Sequence, residues 1–268
     1  MIINKPSAIE IKQSYRIKQY INNLYKKIEF CGRTCYKSLN YIKRGSAKKF
    51  VDMLIKNKHG AMLEHGTVYL AATKEDKDYA ELIHFYFNDK YSKIYFDENL
   101  TVYITTNFRV VVENNRFADL THVSKPTKYH AKRRTFRIIC DRGVSHEFVR
   151  HRVFSFAQES QRYCNYAKDK FDNQITFIEP LCFYDKEANN LLFQTWLKEM
   201  SNAEAAYMQM IKLGCSAEYA RSVLPNSTKT ELIMTGYEEN WQHFFELRRA
   251  KSAHPQAKEI ADMIYNLF

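Results

Sequence analysis

Glycine and proline are scarce, at 7 and 5 of 268 residues, which excludes a collagen-like repeat and a flexible Gly-rich linker and fits a compact chain rich in helix. No run of about 18 apolar residues occurs, so no membrane-spanning helix is expected. The opening MIINKPSAIEIKQSYRIKQYI has no continuous apolar region followed by a small-residue cleavage site, so the chain reads as unexported and cytoplasmic, with no membrane partner. The six cysteines, at 31, 35, 140, 164, 182 and 215, form no CxxC pair; this disfavours a structural metal site or a disulfide scaffold and fits a reducing compartment. No metal is expected. Neither GxGxxG nor GxxxxGK[ST] is present, so any phosphate affinity must come from something other than a Rossmann turn or a P-loop.

What is abundant is positive charge and aromatic side chains. A formal charge of +11 favours anionic ligands of some kind. With 19 Tyr and 18 Phe, base stacking is one use and core burial the commoner one. Helical spacing of apolar residues predicts amphipathic helices over 17–25 and 47–58, the second stopped at His59-Gly60. LEHGTVYLAAT (63–73) alternates as a half-buried strand would. Residues 74–134 read as an insertion, with a helix over 79–87 and a β-rich patch, LTVYITTNFRVVVENN. TFRIICD (135–141) reads as a strand, Arg142-Gly143 as a turn, and Ser145 as the N-cap of a helix over 146–154. A short strand is expected in 175–180, helices over 188–213 and 217–224, and a final helical region from 227 or 228 to 268 with a break at 252–255.

Two constellations stand out. RHRVFSFAQESQRY (150–163) packs three basic side chains and a dense set of donors into fourteen residues, a combination suited to a phosphate and a flat polar ring. In isolation an RHR tripeptide is usually a solvated basic turn. Further on, Tyr237, Trp241, Phe244 and Arg248 follow helical spacing, so an otherwise aromatic stripe ends in a charge that either snorkels or serves a ligand.

RHR, seven residues, then Ser, then xRY resembles the signature of flavin-dependent thymidylate synthases, matched by Arg150, His151, Arg152, Ser160, Arg162 and Tyr163. The resemblance extends to LEH (63–65), ARSVLP (220–225) and WQHFFELR (241–248), and runs from Arg33 to the C-terminus. It implies one α+β domain over 1–268, a mixed sheet with long helices, assembled as a homotetramer with shared active sites. It implies FAD as cofactor, with 5,10-methylenetetrahydrofolate and NADPH as co-substrates, and reductive methylation of dUMP to dTMP. By the same resemblance Arg248 is catalytic and contacts the uracil ring, and Glu147, Arg150, Gln158, Glu159, Ser160, Gln161, Arg162 and Arg221 join it in holding dUMP. His65, Thr67, Arg150, His151, Arg152, Gln158 and His243 would hold FAD.

Many members of that family have Gln and Glu at the positions of Glu147 and Gln158. Where many carry an Asn-x-Arg contact to flavin, this chain has Tyr237-Glu238-Glu239, so that contact must be replaced or lost. No Pro-Cys nucleophile element of the folate-only thymidylate synthases occurs, and Cys31 and Cys35 read as buried structural residues. Two other readings compete. One keeps the flavin and changes the product, as in a pyrimidine nucleotide hydroxymethylase. The other is a basic nucleic-acid-binding protein, which predicts steeply salt-dependent binding and a colourless preparation.

Overall fold

The computed structural model describes residues 1–168, 171–185 and 190–268, which form an α+β fold. Strands β1 (Ile2–Asn4) and β8 (Thr176–Ile178) make a short parallel pair. A four-stranded antiparallel sheet has the order β2 (Ser7–Glu10), β6 (Arg133–Asp141), β9 (Lys229–Tyr237), β7 (Ser155–Gln158). A three-stranded antiparallel sheet has the order β3 (Thr67–Ala72), β5 (Val102–Asn107), β4 (Lys93–Phe96).

Strand β9 lies where helix was expected. Its interior, TELIMTG, is buried on both faces. A strand covered on both sides loses the apolar–polar alternation that identifies a half-exposed one, and a short apolar run then cannot be told from helix by period. Strand β3 is likewise buried almost throughout rather than on alternate residues.

The helices are α1 (Tyr20–Cys35), α2 (Ser46–Lys56), α3 (Gly60–Leu63), α4 (Tyr79–Asn88), α5 (Phe108–Glu113), α6 (Arg142–Phe148), α7 (Asn190–Lys212), α8 (Ala217–Ala220), α9 (Glu238–Arg248) and α10 (Pro255–Tyr265). The expected start of α7 at 188 lies outside the described residues. Helix α1 runs ten residues beyond the expected end at 25 and packs on α2, β7 and β9. After α2 the left-handed residue is Lys58 (φ 57°), while Gly60 opens α3. A Cβ on Gly60 would come within 3 Å of Arg109 and Glu113, so closeness rather than chain reversal explains that glycine.

Within the section read as an insertion, FRVVVE is helix and not strand. The Asn107 side chain accepts hydrogen bonds from the Arg109 and Val110 amides (3.0 and 3.3 Å), and this cap outweighs the weak helix propensity of three successive valines. The section shares one apolar core with α1, α2 and β3 through Leu82, Tyr86, Val102, Ile104 and Phe108. A second core joins β6, α6, β9, α9 and α10 around Phe136, Phe148, Phe154, Trp241 and Phe244. Gly236 is needed there, because a Cβ would lie 2.5 Å from the Phe154 ring. Pro255 begins α10, so the expected break at 252–255 is present. Among the described residues no helix is long and apolar enough to cross a membrane.

Candidate functional site

Helix α6 is capped by Asp141, whose carboxylate accepts the Val144 amide at 2.8 Å. The expected cap, Ser145, sits inside the helix and donates to the Arg142 carbonyl instead. Because α6 ends at Phe148, residues 150–152 form a turn beyond it, not a helical face. The turn points His151 inward and leaves Arg150 and Arg152 exposed. Neither arginine meets a carboxylate among the described residues, so two guanidiniums stand free on either side of a buried imidazole.

Arg248, the last residue of α9, reaches across to that imidazole. Its Nε donates to His151 Nε2 at 2.9 Å, its Nη2 donates to the Glu147 carbonyl at 2.7 Å, and its Nη1 forms an ion pair with the Glu147 carboxylate. Accepting at Nε2 requires neutral His151 with its proton on Nδ1. Burial pushes the His151 pKa down to about 4, and the charges of Arg248 and His243 add to the shift. The ring also packs edge-on against Phe244 at 5.0 Å. The aromatic stripe is real only in part: Trp241 and Phe244 are buried, but Tyr237 precedes the helix and donates to the carbonyls of Tyr91 and Thr105 (both 2.9 Å).

A second cluster forms around Glu218. Arg162 is ion-paired with its carboxylate at 2.9 Å, and Arg221 Nε donates to its carbonyl at 3.1 Å. The two arginines expected to hold a phosphate therefore converge, with a carboxylate in the position of the counter-charge. Ser160 is fixed by its amide, which donates to the Cys35 carbonyl at 3.1 Å. Tyr163 borders a cleft of about 1030 Å³ that also takes in Arg33, Lys43, Arg44 and Lys49.

Other expected site residues face inward. Glu159 is buried and receives Lys37 (3.3 Å), Lys229 (3.1 Å) and the Tyr166 hydroxyl. Lys37 and Lys229 also pair with buried Glu231, which takes Arg137 as well (2.6 Å). Against the opposing effect of burial, Lys229 and Lys37 hold the Glu231 carboxyl down to about 2. Gln158 donates to Ser145 Oγ and Thr230 Oγ1. Gln161 is buried, and its amide nitrogen has no partner. Sequence reasoning missed the Lys37–Glu159–Lys229–Glu231 network, because its members come from three separate segments, with only Lys229 and Glu231 sharing a strand.

The residues expected to hold flavin are divided. His65 is fully buried; its Nδ1 faces Thr235 Oγ1 at 2.8 Å, and Nε2 is unpartnered. Burial, with the charges of Lys27 and Arg133, pulls its pKa to about 3. Thr67 is buried and bridged through both backbone groups by the Gln13 amide. His243 is exposed on α9 beside Glu246. Arg152 lines a cleft of about 450 Å³ with Arg133, Ser155, Tyr237 and Tyr91. The free Arg152 guanidinium beside the Tyr237 and Tyr91 rings suits a phosphate-bearing flat ring. The donor set fits a flavin nucleotide.

A family model described as thymidylate synthase complementing protein matches residues 127–268, more than half of the chain. The chain belongs to this thymidylate synthase complementing protein family. The match holds the turn 150–152, Arg162, Arg221 and Arg248; LEH (63–65) lies outside it. A flavin-dependent thymidylate synthase of Pyrococcus furiosus is 35% identical over 123 residues, covering 46% of this chain and 48% of that protein. One from Geobacter sulfurreducens is 32% identical over 120 residues, covering 45% and 49%. The matched part thus spans about half the length of these curated relatives. Two solved structures of the Streptomyces cacaoi UMP/dUMP methylase PolB, with 5-Br dUMP and with 5-Br UMP, are similar across the whole chain and about nine-tenths of theirs. Their identities are 16% and 13% and their TM-scores 0.47 and 0.49.

Proposed function

We propose that this member of the thymidylate synthase complementing protein family is a cytoplasmic, flavin-dependent thymidylate synthase. It would convert dUMP to dTMP with FAD as cofactor and with 5,10-methylenetetrahydrofolate and NADPH as co-substrates, in a homotetramer with shared active sites. The observation that carries this reading is the Arg248–Glu147–His151 cluster, beside two unpaired arginines, in the stretch that matches the family.

The uracil edge offers a donor at N3–H between acceptors at O2 and O4. In this reading the Glu147 carboxylate accepts from N3–H, and Arg248 donates to the adjoining carbonyl oxygen. C5 is a weak nucleophile until negative charge gathers on the N3–C4–O4 system, and a fixed guanidinium stabilises that charge. His151 and the Glu147 carbonyl hold Arg248 in one orientation before substrate arrives, so little reorganisation is needed. Arg162, Arg221 and Ser160 would take the 5′-phosphate, which then replaces the Glu218 carboxylate as the partner of Arg162. Arg150, Arg152 and His151 would border the flavin, which when bound supplies the redox chemistry that no side chain here provides.

Purified protein should be yellow, with flavin absorbance, and should release tritium from [5-³H]dUMP in the presence of the folate and NADPH, giving a product with the mass of dTMP. A colourless protein, or a product carrying a hydroxymethyl group, would sink this reading. The second outcome would leave the flavin assignment standing.

A further inference from the structure

Lys27 occupies an unusual place for an ammonium. It lies on the inner face of α1, three residues after Leu24 and four before Cys31, and is only 5% exposed. Among the described residues it has neither an ion-pair partner nor a hydrogen-bond partner. Burying an ion without a partner is costly, and chains normally avoid it. Cys31 is no counter-ion, since burial pushes its thiol up to about 12 and keeps it neutral. Burial pulls the Lys27 ammonium down to about 8; neighbouring Arg133 acts in the same direction, and Glu10 across the cleft opposes it only in part.

Arg133, at the start of β6, is 8% exposed and has no carboxylate partner either. Its guanidinium donates to Thr67 Oγ1 (3.4 Å) and the Glu64 carbonyl (3.1 Å) and lies 5.5 Å from the Tyr237 ring. Lys27 and Arg133 both line one cleft of about 520 Å³, roofed by the 126–132 segment and walled by Tyr15 and Tyr69. Its lining holds six Lys or Arg side chains against two carboxylates. Of those two, Glu10 is engaged by Arg134 (2.9 Å) and Lys12 (3.9 Å). The other, Glu238, pairs with neither Lys27 nor Arg133. None of the Arg248 cluster lines this cleft.

We propose that the cleft between α1 and β6, walled by Lys27 and Arg133, binds a phosphoryl group, either as an inorganic oxyanion or as the diphosphate of a nucleotide. Two desolvated cations side by side repel each other, and one multiply charged oxyanion between them relieves both costs. A lone phosphate fills only part of the volume, and Tyr15 and Tyr69 would line the remainder against a ring. Arg133 also lines the cleft beside Arg152, but Lys27 does not, so Lys27 variants test this cleft separately from the flavin assignment.

The test is thermal unfolding and calorimetric titration of the full chain with inorganic phosphate, pyrophosphate and ADP. Phosphate and pyrophosphate should bind saturably and raise the unfolding temperature, pyrophosphate more strongly. ADP binding as tightly as pyrophosphate would identify a nucleotide source; binding of the inorganic ions alone would identify a simple oxyanion site. Lys27→Met should raise the unfolding temperature of the ligand-free protein while weakening pyrophosphate about tenfold or more and leaving dUMP affinity unchanged. Lys27→Arg should keep most of the pyrophosphate affinity. Should Lys27→Met fail to fold, Lys27→Gln serves for the same titration. Absence of saturable binding to the unaltered protein, or unchanged pyrophosphate affinity in the charge-removing variant, would overturn the proposal.

Discussion

Arg248 and Lys27 are both cations drawn out of water, and they are treated in opposite ways. Arg248 is given an acid, a neutral imidazole and a carbonyl, whereas Lys27 has no ion pair or hydrogen bond among the described residues and only the more distant charge of Glu10 to offset its burial. A cation already satisfied by its own chain is held in position and suits a neutral ring that offers both donor and acceptor edges. One left unsatisfied has a standing demand for negative charge, so the two places select different ligands. The difference comes from what surrounds each side chain, since both are long basic residues on helices.

The sharpest way to break this comparison is to remove the satisfied cation. Arg248→Ala should lower turnover by about 10² to 10³ or more while leaving the flavin spectrum intact; unchanged turnover would remove the catalytic assignment. Next in size is the buried network, the case where buried cations and acids share one another. Glu231→Ala strands Arg137 and leaves Lys37 and Lys229 sharing Glu159 alone, and should cost about 3–5 kcal/mol in denaturant unfolding. A loss under 1 kcal/mol would show that the network relaxes or hydrates. Because the folded Glu231 carboxyl is held at about 2, its contribution is present above the unfolded value near 4.3 and disappears as pH falls towards 2.

His151 supplies a pH test with the opposite protonation chemistry. Its folded pKa of about 4 lies below the ordinary value near 6.5, so between these limits the unfolded chain binds a proton that the folded chain does not. Stability should therefore decline as pH falls from 6.5 to 4, with His65 contributing to the same decline, and His151→Gln should reduce that slope. A profile identical in the two proteins would exclude His151 as the titrating group. The smallest effect is expected at the exposed Arg162–Glu218 pair. Glu218→Gln should tighten dUMP binding by only a few-fold, as suits a surface pair, and weaker binding would mean that Glu218 orients Arg162 rather than competing for it.

Much of this was legible in the residues. Strand β6 before the RHR turn, the break before α10 and the pairing of Arg162 with Arg221 near one position follow from motif and period, whereas the turn expected at Arg142-Gly143 is the start of α6. The burial of Cys31 and Cys35 agrees as well. Strand β9 was not legible, because burial on both faces erases the alternation that marks a strand. Nor was the direction of Glu159 or His65: a motif names positions, but which side of the backbone faces the core depends on segments far away, here Lys37, Lys229 and Thr235. Lys27 is the second residue of a Lys-Lys pair, and only the packing of α1 against the sheet shows that it is buried.

Helix α1 also sets a distance. Lys27 lies in its middle and Cys35 at its end, and the Cys35 carbonyl holds the amide of Ser160. Eight residues of helix advance about 12 Å. The Lys27 cleft and the backbone that anchors the Ser160 loop are therefore joined by a stiff rod, not by a loop, and their spacing is as constant as the pitch of a helix.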